Sequence, residues 1–424
     1  MAGWLLIWTA LLASTPENWS GFRGNGTGVY IGALPTQWSP ESGIAWRAAL
    51  PGIGQSAPIV WGETVYVSCV EGDEQDTHLL QAIDLRSGQT KWTHRVNAGR
   101  KQKNDYSMAR AASTPVADAS GVYLFCSSGE LVAIDHAGKE RWQRNIAGDF
   151  GAIENRHGHG ASLAHSGDVL FLLVDDTGPS YLVAINKEDG ETQWKQERTS
   201  RRSWTSPVVL ENGPQTEVIV SSNGSVDCYQ ADDGTLLWSM DDVAGNAIVS
   251  ATPVAHGVLV GGSQMRGSTD ASKSIATNRL VRSRGKAGSE VVWKAEKALA
   301  HYASPLSYRG HAYFVNRVGV LFCLDLANGQ QVYAERIAGE CWASPIAAGD
   351  YLYFFGKKGE TSVVKAGPAF EVVATNSIGS PEPEPAAEGE RRREDLTHAV
   401  HGVAAGGGRI LVRTGGALIC IGQK

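Results

Sequence analysis

The chain is poor in several things that would each point to a function. Its 38 Lys and Arg are outnumbered by 44 Asp and Glu, leaving a net charge of −6 and no basic field with which to hold nucleic acid. No stretch reaches the ~18 uninterrupted apolar residues that a membrane-crossing helix requires. The six Cys include no vicinal pair, no Cys-x-x-Cys and no c-type haem motif. None lies near the N-terminus, so no lipid anchor is expected there. Disorder is excluded as well, because 42% of the residues are hydrophobic, enough to build a core.

Glycine and tryptophan, by contrast, are abundant, with 50 and 13 residues respectively. The first residues, Trp4 to Ala13, form a short apolar run followed by Ala13-Ser14-Thr15, the pattern of a leader removed on export, although its n-region carries only the α-amino charge. A leader at 1–15 places the mature protein outside the cytoplasm, periplasmic or secreted.

From there the sequence repeats itself. Each unit opens on a Ser/Thr-x-Pro-like start, continues with a β-branched strand and a turn, and ends in small-x-Asp-x(3)-Gly-x(3)-Trp. The clearest copies run from Ser56-Ala-Pro58 through Ala82-Ile-Asp84 and Gly88 to Trp92, and from Ser113-Thr-Pro115 through Asp135 and Gly138 to Trp142. Further units end at Trp194, Trp238 and Trp293, a sixth has Tyr333 in the Trp slot, and a seventh degenerates near Phe370. An eighth, opening at His401-Gly-Val403, runs out of chain after Cys420, and its missing strand is available as Ser42-Gly-Ile-Ala-Trp46. About 50 residues per unit suits four short strands. The expectation is an all-β, eight-bladed β-propeller over 18–424, closed by strands from both termini so that no sheet edge stays open. Seven blades would follow if a late unit were miscounted.

Asp and Gly are expected to build the last turn of each blade, and the Trp series to pack between blades with each N–H on a partner. Ala82, Ala133 and Ala184 interchange with Cys228, Cys323 and Cys420 in one slot, which reads as buried thiols and not a disulfide framework. The stretch 379–396, rich in Pro, Glu and Arg, reads as a solvated insertion. Asn97–Ala112 reads as a long loop, possible cover for the mouth, and Arg266–Lys286 as an exposed basic loop.

The repeat resembles the PQQ-like (pyrroloquinoline quinone) repeat of the quinoprotein dehydrogenase superfamily. Trp19-Ser-Gly-Phe-Arg-Gly-Asn-Gly-Thr-Gly28 is similar to the lead-in of its exported bacterial β-propellers. The resemblance covers nearly the whole chain and implies the propeller fold. For function it implies either of two things: a PQQ-dependent alcohol or sugar dehydrogenase, or a scaffold of the outer-membrane assembly kind without quinone or catalysis. The enzymatic branch implies a central PQQ, a Ca²⁺ held by carboxylate and Asn oxygens, a catalytic Asp and a vicinal Cys pair. This chain has no such pair, and no Glu/Asn/Asp set falls on matching positions.

In a propeller the loop before each innermost strand sits at one mouth of the channel. Those windows hold Gln55, Arg110, His157 and His159, Arg202 and Trp204, His301 and Tyr302, Glu340 and Trp342, and His398 and His401. Five of the 11 His fall in them. Stacking faces and Arg forks suit a flat anionic ligand, so these residues form the candidate funnel. The competing readings are hydrogen-bonded loop residues that plug the mouth, and a metal site on His157, His159 and His301. Asp105 and Glu340 are the nearest carboxylates for a base. The reading is therefore an exported monomer that binds a small anionic ligand or an envelope protein partner as a scaffold. The alternative is a PQQ-dependent oxidoreductase with the quinone in the funnel and Ca²⁺ beside it.

Overall fold

The computed structural model describes residues 18–101, 110–212, 215–264, 271–379 and 397–423. The leader at 1–15, Asp105 with residues 102–109 of the Asn97–Ala112 loop, and residues 380–396 of the insertion lie outside the described residues. The rest forms eight antiparallel sheets of four strands arranged as a propeller, one of them gaining a short fifth strand. Blade 1 is Ile59–Trp61, Thr64–Glu71, Thr77–Asp84 and Thr90–Asn97, paired in that order. Blade 8 takes Val400–Gly406, Arg409–Thr414 and Ala417–Ile421 from the C-terminus and Ile44–Ala49 from the N-terminus. The ring closes where the unfinished eighth repeat implied.

Burial follows strand position. The middle strands are sandwiched between neighbouring blades, so Gly121–Phe125 and Glu130–Ile134 are buried at every residue. The outermost strand, Glu140–Asn145, faces solvent on alternate residues. The apolar core is accordingly a series of clusters between blades, such as Phe125 and Leu131 against Leu172 and Val183.

The recurring turn and the Trp series are one device. Asp84 Oδ1 accepts the Arg86 and Ser87 N–H groups at 3.1 and 2.9 Å, and Gly88 holds φ +73°. Trp46 of the preceding blade lies on that glycine, where an added Cβ would come within 2.6 Å of its ring, and donates Nε1–H to Leu85 O at 3.0 Å. Trp92 repeats this on Gly138, Trp142 on Gly190, Trp194 on Gly234 and Trp293 on Gly329. Within their own blades five of the Trp series pair with the small slot, among them Trp92 with Ala82, Trp238 with Cys228 and Trp46 with Cys420, whereas Trp293 pairs with Leu280. All six Cys are buried and free.

One expectation is overturned. Within 271–283 the chain is no exposed loop but a helix, Ser272–Thr277, and the third strand of blade 5, Arg279–Ser283, while the turn that follows leaves Arg284 and Lys286 exposed. Arg279 is fully buried because Asp242 Oδ1 takes its Nη1 at 2.6 Å and the Ala276 carbonyl its Nε at 2.8 Å. Blade 5 has a different last turn, and there Trp238 donates to Ser283 Oγ.

The lead-in segment does more than open the chain. Trp19 exchanges two hydrogen bonds of 2.9 Å with Val60 in blade 1, and Ala117 N–H of blade 2 donates to Ser20 O at 2.8 Å. Val29–Tyr30 then pairs in parallel with Ile346–Ala348 of blade 7. The segment is thus a strap across the channel. Gly28, at φ +74°, lies so close to Pro345 that a Cβ would fall 2.9 Å from its carbonyl oxygen.

Candidate functional site

The strap divides the channel into two chambers. The upper one, on the side of the loops that open each blade, has a volume of about 300 Å³, with Trp19, Phe22 and Arg23 of the strap among its lining. The lower, about 250 Å³, is lined by Gly21–Thr27 of the strap and by the opposite ends of blades 2 to 5.

Around the upper chamber runs a ring of hydrogen bonds from blade to blade. Ala57 N–H donates to Thr114 Oγ1 at 3.0 Å, Thr114 N–H to Ser162 Oγ at 3.0 Å, and Ser162 N–H to Ser206 Oγ at 2.9 Å. Ser206 continues to Ser250 at 2.9 Å, Ser250 to Ser304 at 3.2 Å and Ser304 to Ser344 at 3.1 Å. The seam is blade 8, where Gly402 packs directly on Ala57 and neither carries a hydroxyl. Five of the ring hydroxyls sit at or aligned with the middle position of Ser/Thr-x-Pro, so the signal was present in the repeat. The sixth comes from Ser250, two residues ahead of the aligned Thr252.

Beneath the ring lies Arg23, 3% exposed. Its Nη1 donates to Thr252 Oγ1 at 2.9 Å and its Nη2 to Pro305 O at 2.6 Å, while no hydrogen bond reaches Nε. All its partners are neutral, and burial pulls the guanidinium down to about 9. Among the described residues no Asp or Glu lines the chamber, and Arg23 is the one formal charge there.

Of the residues predicted for the funnel, the structure brings Gln55, Trp204, Tyr302, Trp342 and His401 to the chamber wall, together with Ile248. Tyr302 and Trp342 meet edge to face, ring centroids 5.2 Å apart, and His401 lies 5.9 Å from Trp342. Lys357 Nζ sits 3.8 Å from the Trp342 ring centroid, and Trp342 Nε1–H donates to Glu340 Oε1 at 3.1 Å. His301 and His157 contact Tyr302 and Trp204, at 4.1 and 6.0 Å between ring centroids. Arg110, Arg202, His159 and His398 do not line the chamber. Arg202 and His398 are exposed. Arg110 is half-buried, its backbone exchanging hydrogen bonds with Gln55.

His159 points the other way, 5% exposed, edge-on to Phe125, with Nε2–H donating to Ala161 O at 3.0 Å. Desolvation holds its pKa down to about 4. That ring nitrogen is spent, and no three His, Cys, Asp or Glu among the described residues are placed to hold a metal ion, so the metal reading on His157, His159 and His301 is dropped.

A Ca²⁺-assisted quinone needs carboxylate ligands and an Asp base. The upper chamber offers hydroxyls, the Gln55 amide and a cation, and these residues do not fit that group.

Residues 7–156 and 152–366 match the family described as outer membrane protein assembly factor BamB. A protein of that name from Alkalilimnicola ehrlichii is 28% identical over 206 residues, 48% of this chain and 47% of that one. The chain thus spans about half the length of that curated relative. Among solved structures, BamB from Moraxella catarrhalis covers 90% of this chain and 97% of its own, with a TM-score of 0.61 at 13% identity. Quinohemoprotein alcohol dehydrogenase from Comamonas testosteroni covers 96% of this chain and 81% of its own, at 0.60 and 12%. At these identities both structures speak to the fold alone.

Proposed function

The chain belongs to the family described as outer membrane protein assembly factor BamB, and on that premise we propose that it is an exported scaffold that docks protein partners at the upper mouth. The observation that carries the docking face is the aromatic wall, where Trp204, Tyr302 and Trp342 stand beside Ile248, 36% exposed. Tryptophan and tyrosine with a rim of Arg and His are the composition of an interface centre. Arg202, His157 and His398, all exposed, supply that rim. In this reading 18–424 acts as one propeller domain, freed of its leader at 1–15, and no helix among the described residues is long and apolar enough to cross a membrane.

The test is site-specific photocrosslinking from Ile248 in a Gram-negative envelope. A discrete crosslinked partner, lost in Trp204→Asp and Trp342→Asp variants that still fold, is the expected result. N-terminal sequencing of the envelope form should begin near residue 16. The oxidoreductase alternative rests on the shared fold with quinohemoprotein dehydrogenases. Saturable binding of PQQ with Ca²⁺, with electron transfer from an alcohol to an artificial acceptor, would overturn the scaffold reading.

A further inference from the structure

The ring hydroxyls are half used. Thr114, Ser162, Ser206, Ser250, Ser304 and Ser344 each accept a backbone N–H from the preceding blade. Among the described residues none of these hydroxyls donates to a protein acceptor, so each keeps its proton for whatever fills the chamber they line. Arg23 adds a buried charge whose partners are all neutral. A buried cation without a counter-ion is a costly arrangement that an anion above it would relieve. Among the described residues the chamber therefore presents convergent donors and positive charge with no carboxylate in its lining. Its walls are the opposite in character, since Trp204, Tyr302 and Trp342 offer apolar faces to a flat body. A volume of about 300 Å³ sits at the small end of ligand sites.

We propose that the upper chamber binds an organic carboxylate, the carboxylate oxygens accepting from the ring hydroxyls above Arg23 and the apolar body lying between the aromatic walls. The carboxylate can be that of a free small acid or of the last residue of a peptide, for the chemistry is the same. The site shares its aromatic walls with the proposed docking face but rests on the ring hydroxyls and Arg23, which the docking reading does not use, so variants of those residues test it apart from docking.

The experiment uses the full chain and four probes: benzoate and indole-3-acetate, each against its neutral amide. Quenching of tryptophan fluorescence reports occupancy, because Trp19, Trp204 and Trp342 line the chamber, and thermal shift gives an independent readout. The acids should bind saturably and at least about tenfold more tightly than the amides, the usual worth of charge-assisted hydrogen bonds. Arg23→Gln should abolish the preference, but it also loosens the strap. The decisive variant is therefore the double change Ser206→Ala with Ser304→Ala, expected to weaken acid binding about tenfold or more. It should fold, because Ala57 already occupies a ring position. Equal binding of acids and amides, no binding of either acid at millimolar concentration, or acid affinity unmoved by the double variant would each overturn the proposal. A Phe-ended tripeptide with a free or an amidated C-terminus separates the sources. If only the free form binds, the acid can be a chain end. If neither form binds while benzoate does, it is a free small molecule.

Discussion

Blades 3 and 4 share an apolar cluster on their middle strands, and at the rim and at the centre opposite chemistries join them. At the rim, Trp194 lies on Gly234 of the next blade and donates Nε1–H to Ala231 O at 2.8 Å. At the centre, Ser162 N–H reaches Ser206 Oγ at 2.9 Å. The rim contact is finished: its apolar face is covered and its only donor is paired. The central contact is unfinished, because the hydroxyl that accepts still has a proton to give. A ring that needed only to cohere could have used apolar contacts at the centre too, as Ala57 and Gly402 do at the seam. The rim contact thus has no bonding capacity left over, while the centre keeps some to spare.

The largest effect should come from breaking the rim. Trp194 is 9% exposed, and Trp194→Ala leaves a cavity between two sheets, so a loss of about 3–5 kcal/mol is expected. Gly234→Ala attacks the same contact from the other side. Its φ is +71° and the new Cβ would fall 2.5 Å from the Trp194 ring, so it should also destabilise strongly. Urea denaturation followed by far-UV circular dichroism measures both. A cost below about 1 kcal/mol for either would show that the rim does not hold the ring.

Much of this was legible beforehand because the rim is written in most of the repeats. Asp, Gly and Trp recur at fixed spacing, and that spacing encodes turn and packing together, although the contact of each Trp with the next blade's glycine emerges only in three dimensions. The centre was less legible. Arg23 sits among glycines in the lead-in with nothing nearby to mark it for burial, and the strap's path between Thr252 and Pro305 buries it. His157 and His159 share a loop and look equivalent, yet the first is exposed and the second turns inward onto Phe125. Arg279 makes its strand look like a loop, since the Asp242 that permits its burial lies in an earlier segment of the chain.

The next prediction concerns pH and belongs to the inner region. His159 is held neutral, with a pKa of about 4 against the usual ~6.5. As pH falls below ~6.5 the unfolded chain takes up this proton while the folded protein refuses it. The contribution is whole above that value and fades toward pH 4, to a loss of up to about 3 kcal/mol. His159→Gln should therefore flatten the fall in stability between pH 6.5 and 4, as read by thermal denaturation. The Trp194→Ala cost, which involves no titrating group, should be the same at both ends of the range. An unchanged slope in His159→Gln would mean that His159 is not the group responsible.

The smallest effect should be that of Ser206→Ala alone. It removes the acceptor for Ser162 N–H, and an orphaned buried donor ordinarily costs about 1–3 kcal/mol. Here the group borders a chamber large enough for water, and a bridging water can take over the N–H. The expected loss is therefore about 1 kcal/mol, at the bottom of that range. Measured beside Trp194→Ala in the same urea titration, it should be several-fold smaller although both residues join the same two blades. If the two costs were equal, the hydroxyl ring would be as much a structural clasp as the tryptophans. Its free protons would then be incidental to folding, not a capacity kept for a ligand.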